Sequence, residues 1–269
     1  MAGSKILYVC QEITPYLPAN QISSECRQLL QAMQERGFET RTFMPRYGCI
    51  NERRNQLHEV IRLSGMNLII DDNDHQLIIK VASIPSARVQ IYFIDNDDYF
   101  ARKAILTDTT TGEYFADNDE RAIFFARGVL ETVRKLRWSP DIVHCHGWFS
   151  AVTPIYLRNT FGDDPLFQNL KIVVSLYDDS FPTPLDPAFR KKIENEGISD
   201  PNLDFIQNPS YENLIKLVIT YADGVVVRTD KLDPVIAEFL EQSGKKILPQ
   251  QLSSVPENFD NYRTFYDEL

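Results

Sequence analysis

The sequence of 269 residues has no apolar run long enough to cross a membrane. Its longest apolar stretches, KILYVC at 5–10 and KIVVSLY at 171–177, are far shorter than the roughly 20 residues that a transmembrane helix needs. Residues 1–20 also lack a basic flank followed by a long apolar stretch. We therefore expect no signal peptide and a cytoplasmic protein.

Cysteine is scarce and widely spaced, at Cys10, Cys26, Cys49 and Cys145. Disulfide frameworks are typical of small secreted domains, and zinc sites usually show a C-x2-C step. We therefore expect four reduced structural thiols and no metal site. The sequence also lacks a G-x-G-x-x-G motif, a P-loop and a G-x-S-x-G motif, and we expect no cofactor.

Basic residues are outnumbered, because 28 lysines and arginines face 38 acidic residues, which gives a formal net charge of −10. A polyanion would be repelled on average, so nucleic-acid binding and binding to an anionic membrane are disfavoured. The composition, 43% hydrophobic and 25% charged, is typical of a globular protein with a sizeable core.

The first 45 residues predict a strand, a helix and a second strand. KILYVC at 5–10 has the pattern of a strand buried on both sheet faces, and ETRTFMP at 39–45 is the second strand. Between them, residues 23–37 read as a helix that Ser23 or Ser24 caps. This βαβ unit predicts a parallel sheet.

The later segments continue the alternation of strands and helices. Residues 57–95 contain short β-rich runs broken at 71–74 and 83–87, which predicts an antiparallel β insertion. Further helices are predicted at 117–137, 148–161, 213–223 and 231–244, and further strands at 140–146, 171–177 and 224–229. We therefore predict a single doubly wound, mostly parallel α/β domain of the Rossmann type over residues 1–250, with a tail at 251–269.

Ligands of doubly wound sheets bind beyond the carboxyl ends of the strands. That rule nominates residues 10–12, 144–146 and 177–179. Strand alternation predicts that His144 and His146 face one side of the sheet and Cys145 the other. A buried, hydrogen-bonded histidine pair is the alternative to a chemical role for these two, and an exposed turn is the alternative to a carboxylate pair at 178–179.

Five blocks resemble, in this order, the bacterial ADP-glucose-dependent glycogen/starch synthases. The blocks are KILYVCQEITPY (5–16), IYFIDNDDYFAR (91–102), YFADNDERAIFFARGVLE (114–131), PDIVHCHGWFSAVTPIYLR (140–158) and NLIKLVITYAD (213–223). The resemblance implies half of a GT-B fold, from two-domain enzymes that pass glucose from ADP-glucose to an α-1,4-glucan. It also implies a ligand cleft formed by Glu12, His146, Trp148, Tyr177, Asp178 and Lys216.

The chain departs from this family at the ligand loops. Residues 18–22 read Pro-Ala-Asn-Gln-Ile where the family has Lys-Thr-Gly-Gly-Leu, so a cation and two glycines are absent there. His-Asp-Trp-His becomes HGWF at 146–149, Ile-His-Asn becomes LYD at 176–178, and Ser-Pro-Thr becomes RTD at 228–230. Lys216 remains, but Leu217 and Val218 replace the small residues after it.

These departures predict a glycogen/starch synthase-like protein that is catalytically inactive alone. We also expect the carboxy-terminal donor domain, of roughly 200 residues, to be missing. The chain would then act as a binding or partner-dependent module, with an α-glucan or a sugar nucleotide as ligand and a protein partner or homodimer covering the cleft face. The alternatives are an active or split glucosyltransferase, and a new activity at Glu12, His146 and Asp178.

The carboxy-terminal tail also bears on the family resemblance. Tyr262–Tyr266 is similar to a Y-x-x-x-Y element of the family's last helix, which returns from the second domain to pack on the first. The tail is therefore interpreted as that return helix. A disordered tail and a helix belonging to a partner interface are the alternatives.

Overall fold

The computed structural model describes residues 4–249 and 258–269. Ten strands occur in these residues: β1 Lys5–Cys10, β2 Glu39–Pro45, β3 His58–Glu59, β4 Met66–Ile70, β5 Asn73–Ile84, β6 Val89–Asp95, β7 Ile142–His146, β8 Lys171–Leu176, β9 Gly224–Val227 and β10 Lys246–Leu248. The α-helices described are α1 Gln21–Glu35, α2 Asp97–Phe100, α3 Asn118–Leu136, α4 Thr153–Arg158, α5 Phe189–Glu194, α6 Tyr211–Tyr221, α7 Pro234–Gln242 and α8 Asn258–Asp267. Short 3-10 helices cover Pro85–Ala87, Trp148–Ser150 and Pro201–Gln207.

The strands form one sheet in the order β10-β9-β8-β7-β1-β2-β6-β5-β3, and β4 pairs with β5. All neighbours from β10 to β6 are parallel. The chain passes from β1 outward through β2 to β6, then returns to β7 beside β1 and continues in the opposite direction. The predicted class, α/β with a mostly parallel sheet, is confirmed, and the topological switch point lies between β1 and β7.

The antiparallel segment predicted at 57–95 is continuous with the main sheet. Its last strand, β6, pairs in parallel with β2, whereas β5 pairs with β6 in antiparallel fashion. The breaks expected at 71–74 and 83–87 are the two turns that flank β5, where Asp71, Asp72 and Arg88 have positive φ. These antiparallel strands therefore extend the edge of the parallel sheet.

Helix α1 begins earlier than the sequence indicates. Its N-cap is Asn20, whose side chain accepts a hydrogen bond from the Ser23 backbone at 2.8 Å, and Ser23 Oγ accepts one from the Asn20 backbone at 2.9 Å. Expecting Ser23 or Ser24 as the cap was wrong, because this reciprocal capping box moves the first turn back. The helix predicted at 148–161 is likewise divided into a 3-10 turn and α4, which has Pro154 in its first turn.

Helices cover both faces of the sheet. Helix α4 contacts both α3 and α6 on the face where Cys145 points, and α1 and α8 contact each other on the face of His144 and His146. Helix α8 lies close to β9, since a Cβ on Gly224 would meet the Phe265 ring at 2.7 Å. None of the helices in the described part of the chain is both long and apolar enough to span a membrane.

Candidate functional site

A cavity of about 320 Å³ opens at the carboxyl ends of β1, β7 and β8, at the switch point of the sheet. We call it the cleft cavity. It is lined by Gln11 and Glu12 after β1, Trp148 after β7, and residues 177–180 after β8. The N-terminal end of α1, with Asn20 and Gln21, forms another wall, and Tyr114 lines it from the loop before α3.

Glu12 is held in place by two amide side chains. Its carboxylate accepts hydrogen bonds from Gln11 Nε2 at 3.1 Å and from Asn20 Nδ2 at 2.6 Å. Gln11 is fixed in turn, because its Oε1 accepts a hydrogen bond from the Phe149 backbone at 3.1 Å. A negative charge therefore lies beside the N-terminus of α1, where a helix favours anions.

Gly147 explains how the backbone turns between β7 and the cleft cavity. Its φ of 82° and ψ of 154° belong to a region that essentially only glycine adopts. A Cβ at this position would also lie 2.8 Å from Gln11 Oε1. Gly147 stands where the resemblance implies an aspartate. This backbone arrangement leaves no room for a side chain at that position.

Asp178 and Asp179 differ sharply in environment. The Asp178 side chain is 51% exposed and lies 3.6 Å from the exposed Lys231. Asp179 accepts hydrogen bonds from the Trp148 backbone at 2.8 Å and from the Tyr211 hydroxyl at 2.9 Å. Burial, with a smaller contribution from Glu12, raises the pKa of Asp179 to about 6. The alternative of an exposed turn at 178–179 therefore holds for Asp178 but not for Asp179.

The two histidines of β7 are buried below the cleft cavity. Their rings lie 4.0 Å apart on one face of the sheet, as strand alternation predicts. His146 Nδ1 is 2.9 Å from the Tyr177 hydroxyl, and His144 is hydrogen-bonded to the hydroxyls of Ser175 and Tyr266 at 2.8 and 2.6 Å. Burial, and then His146, lowers the pKa of His144, so its imidazole is neutral.

Four of the six residues named from the sequence, Glu12, Trp148, Tyr177 and Asp178, line the cleft cavity together. His146 is fully buried and does not line the cavity, but it is hydrogen-bonded to two residues that do, Gln11 and Tyr177. Lys216 lies half-buried on α6 and does not line the cavity. Whether any of them contacts a ligand stays a prediction.

Several residues that line the cleft cavity, among them Asn20 and Tyr114, were not nominated from the sequence. Asn20 carries a detectable signal, because Asn-x-x-Ser before a helix is a capping pattern whose first side chain lies at the helix entrance. Tyr114 carries none, because it comes from a loop that only the three-dimensional structure brings over the strand ends. Within residues 4–249 and 258–269, no group of three or more histidine, cysteine or acidic side chains is placed to hold a metal ion. The four cysteines are free, and only Cys49 is exposed.

Comparison with known proteins places these observations in a family. Residues 5–230 match the family model described as the starch synthase catalytic domain. The glycogen synthase of Chlorobium limicola is 38% identical over 174 residues, which are 65% of this chain and 36% of that protein. The glycogen synthase of Chlorobaculum parvum is 33% identical over 248 residues, which are 89% of this chain and 48% of that protein. The chain thus spans about a third to a half of the length of these relatives.

A solved structure supports the fold. The catalytic domain of starch synthase IV from Arabidopsis thaliana, bound to ADP and acarbose, superimposes with a TM-score of 0.74 at 16% sequence identity. The match covers 92% of this chain and 51% of the other. The parallel sheet and its covering helices therefore correspond to about half of that catalytic domain.

Proposed function

Because the chain belongs to the family of starch synthase catalytic domains, we propose that its cleft cavity binds a neutral α-glucan and that this chain alone transfers no glucose. It would act as a binding or partner-dependent module. One observation carries the proposal: the residues that line the cleft cavity include the carboxylates Glu12, Asp178 and Asp179, and neither lysine nor arginine is among them in the described chain.

Electrostatics disfavours a diphosphate in such a cavity. A carboxylate and a phosphate 4 Å apart repel each other by about 4 kcal/mol at an effective dielectric constant of ~20. Within the described residues, the lysine that pairs with a cavity carboxylate is Lys231, and its side chain is 74% exposed, so solvent screens its charge. Glycosyl transfer requires preorganised positive charge at the leaving group, which this wall does not supply.

The entrance to α1 also disfavours a phosphate. The resemblance implies a glycine-rich loop with a lysine there, whereas here the Ser23 and Asn20 side chains accept hydrogen bonds from the backbone N–H groups of Asn20 and Ser23, respectively. The Asn20 amide is further engaged by the Glu12 carboxylate. A phosphate would have to displace the chain's own acceptors from the position that attracts anions.

A neutral sugar fits the same surface. Carboxylates and amides accept and donate hydrogen bonds to hydroxyl groups, and the half-buried Tyr114 ring offers an apolar face. The volume of about 320 Å³ lies at the lower end of the range for ligand pockets, ~300–1,000 Å³. The cavity is therefore large enough for a small number of sugar rings.

Calorimetric titration with maltotriose and with ADP-glucose tests the proposal. We expect binding of maltotriose, no binding of ADP-glucose, and no release of ADP when the purified chain is mixed with ADP-glucose and glycogen. Replacing Glu12 by glutamine should weaken maltotriose binding, whereas the same change at Glu59, exposed on β3, should leave it unchanged.

Release of ADP by the purified chain would contradict the proposal and favour the alternative of an active glucosyltransferase. Release only after addition of a second polypeptide would support partner dependence in the form of a split enzyme. Tighter binding of ADP-glucose than of maltotriose would show that the carboxylates do not govern the choice of ligand.

A further inference from the structure

A second cavity, of about 290 Å³, adjoins the cleft cavity. We call it the proline groove, because Pro184 and Pro187 are among the residues that line it. Tyr114 lines both cavities, and the consecutive residues Ser180 and Phe181 line the cleft cavity and the proline groove respectively. The two cavities are therefore neighbours that meet at Tyr114 and at residues 180–181.

The walls of the proline groove are held firmly in place. The Phe115 ring contacts two guanidinium groups, those of Arg102 at 4.3 Å and Arg121 at 5.2 Å from the ring centre. The Phe181 ring packs edge-to-face on Trp148, with centroids 4.8 Å apart. A groove with such walls is formed before any ligand arrives, which lowers the entropic cost of binding.

In the described residues, the proline groove shares with the cleft cavity a lining without lysine or arginine. It combines aromatic and proline surface with the Thr183 hydroxyl, and its one acidic residue, Asp186, is compensated by Lys192 at 3.3 Å. The hydrogen bond from the Ala188 backbone, and then Lys192, lowers the pKa of Asp186. The groove thus presents an almost neutral surface of apolar faces with a few polar atoms, which suits the apolar face and hydroxyl edge of a pyranose ring.

We propose that a glucan chain bound in the cleft cavity continues over Tyr114 into the proline groove, so that the two cavities together form one elongated binding site that selects for chain length. This inference rests on the proposed function. When two subsites are filled by one linked ligand, binding at the second becomes intramolecular and affinity rises. Affinity should therefore increase with the number of glucose units until both cavities are filled, and then level off.

Titration of the protein with the maltose-to-maltoheptaose series tests this inference. We expect the dissociation constant to fall by about tenfold or more along the series, equivalent to roughly 1.4 kcal/mol, before it becomes constant. Thr183→Trp should fill the proline groove and abolish this gain while leaving maltose binding unchanged. Thr264→Trp, at an exposed threonine of α8, is the matched control and should retain the gain.

A second pair of variants addresses Tyr114 itself. Tyr114→Phe keeps the ring and should retain the dependence on chain length, whereas Tyr114→Ala should flatten it. Circular dichroism and thermal unfolding of each variant establish that it is folded before it is titrated.

The outcomes separate this inference from the proposed function. Measurable maltose binding with no gain along the series would overturn the elongated site and leave the proposed function intact. An equal loss for all chain lengths in Thr183→Trp would also overturn it. Absence of binding for every saccharide would overturn both.

Discussion

Two adjacent aspartates of the cleft cavity, Asp178 and Asp179, differ strongly in solvent exposure. Asp178 stays in solvent, whereas Asp179 turns inward to the Trp148 backbone and the Tyr211 hydroxyl. Removing a carboxylate from water disfavours its charged form, which is why the pKa of Asp179 is raised to about 6 despite two hydrogen-bond donors. The ionised form of Asp179 therefore destabilises the folded state at neutral pH.

The pH dependence of folding stability tests this assignment. Because the folded pKa of Asp179 exceeds its unfolded value, the wild-type protein should gain stability relative to Asp179→Asn as the pH falls from 7 to 4. This pKa shift corresponds to a change on the order of 2 kcal/mol, between pH 7 and pH 4, in the difference in free energy of unfolding between the wild type and the variant. Urea unfolding at several pH values measures it, with Asp178→Asn, at the exposed neighbouring position, as the matched control. If the difference in free energy of unfolding stayed constant from pH 7 to pH 4, burial would not disfavour the ionised form of Asp179.

Sequence reasoning reached part of this site because strand ends and alternation are local properties. The alternation of β7 predicted that His144 and His146 share a face, and their rings do lie in contact. The partner of His144, Tyr266, is 122 residues away, and no local pattern indicates such a contact. The burial of Asp179 likewise depends on Tyr211, from a helix that follows much later in the chain.

Helix α8 connects the carboxy-terminal segment to the centre of the sheet. Its Tyr266 hydroxyl is hydrogen-bonded to His144, and its Tyr262 hydroxyl donates to Glu25 of α1 at 2.7 Å. Glu25 also forms an ion pair with Arg228, just beyond β9, at 2.7 Å. The helix thus joins β7, α1 and the end of β9. That it is the counterpart of the family's return helix remains a prediction.

Loss of the Tyr266 hydroxyl should therefore weaken the docking of α8. Tyr266→Phe leaves the buried Nδ1 of His144 without its partner, which we expect to lower the free energy of unfolding by about 1–3 kcal/mol. Amide hydrogen exchange should become faster in α8 than elsewhere. Thr264→Ala, at an exposed position of the same helix, should change stability by less than ~0.5 kcal/mol. Equal effects of the two substitutions would indicate that α8 is not held through His144.

Secondary structure was predictable wherever the hydrophobic pattern alone decides it. Strand β2 has the predicted bounds, 39–45, because buried residues and turn signals agree there. The start of α1 and the break before α4 do not follow from the hydrophobic pattern, because the first depends on a capping box, whose Asn-x-x-Ser signal is separate from that pattern, and the second on the sharp turn at Gly147. Boundaries set by side-chain hydrogen bonds or unusual backbone angles leave little trace in periodicity.

The continuity of the sheet has a consequence for the whole molecule. The antiparallel strands at one edge join the parallel part through the pairing of β6 with β2, and α3 packs against β2, β4 and β6. The core is likewise continuous, since Gly128 of α3 brings the helix so close that an added Cβ would lie 2.9 Å from Ile94 of β6. In the described residues, the contacts therefore continue without a gap from the antiparallel strands into the parallel part of the sheet.

We therefore expect the protein to open as one cooperative unit. Native-state hydrogen exchange measures the free energy at which each amide opens. The slowest amides of the β5–β6 pair and of the β8–β9 pair should give the same opening free energy, within ~1 kcal/mol. Both values should equal the free energy of unfolding measured in urea. The two-residue strand β3, exposed at the sheet edge, provides the contrast and should exchange much faster. If the β5–β6 amides instead had an opening free energy several kcal/mol lower than the β8–β9 amides, the antiparallel strands would be a separate folding unit. The parallel pairing of β6 with β2 would then be too weak to couple them to the rest of the sheet.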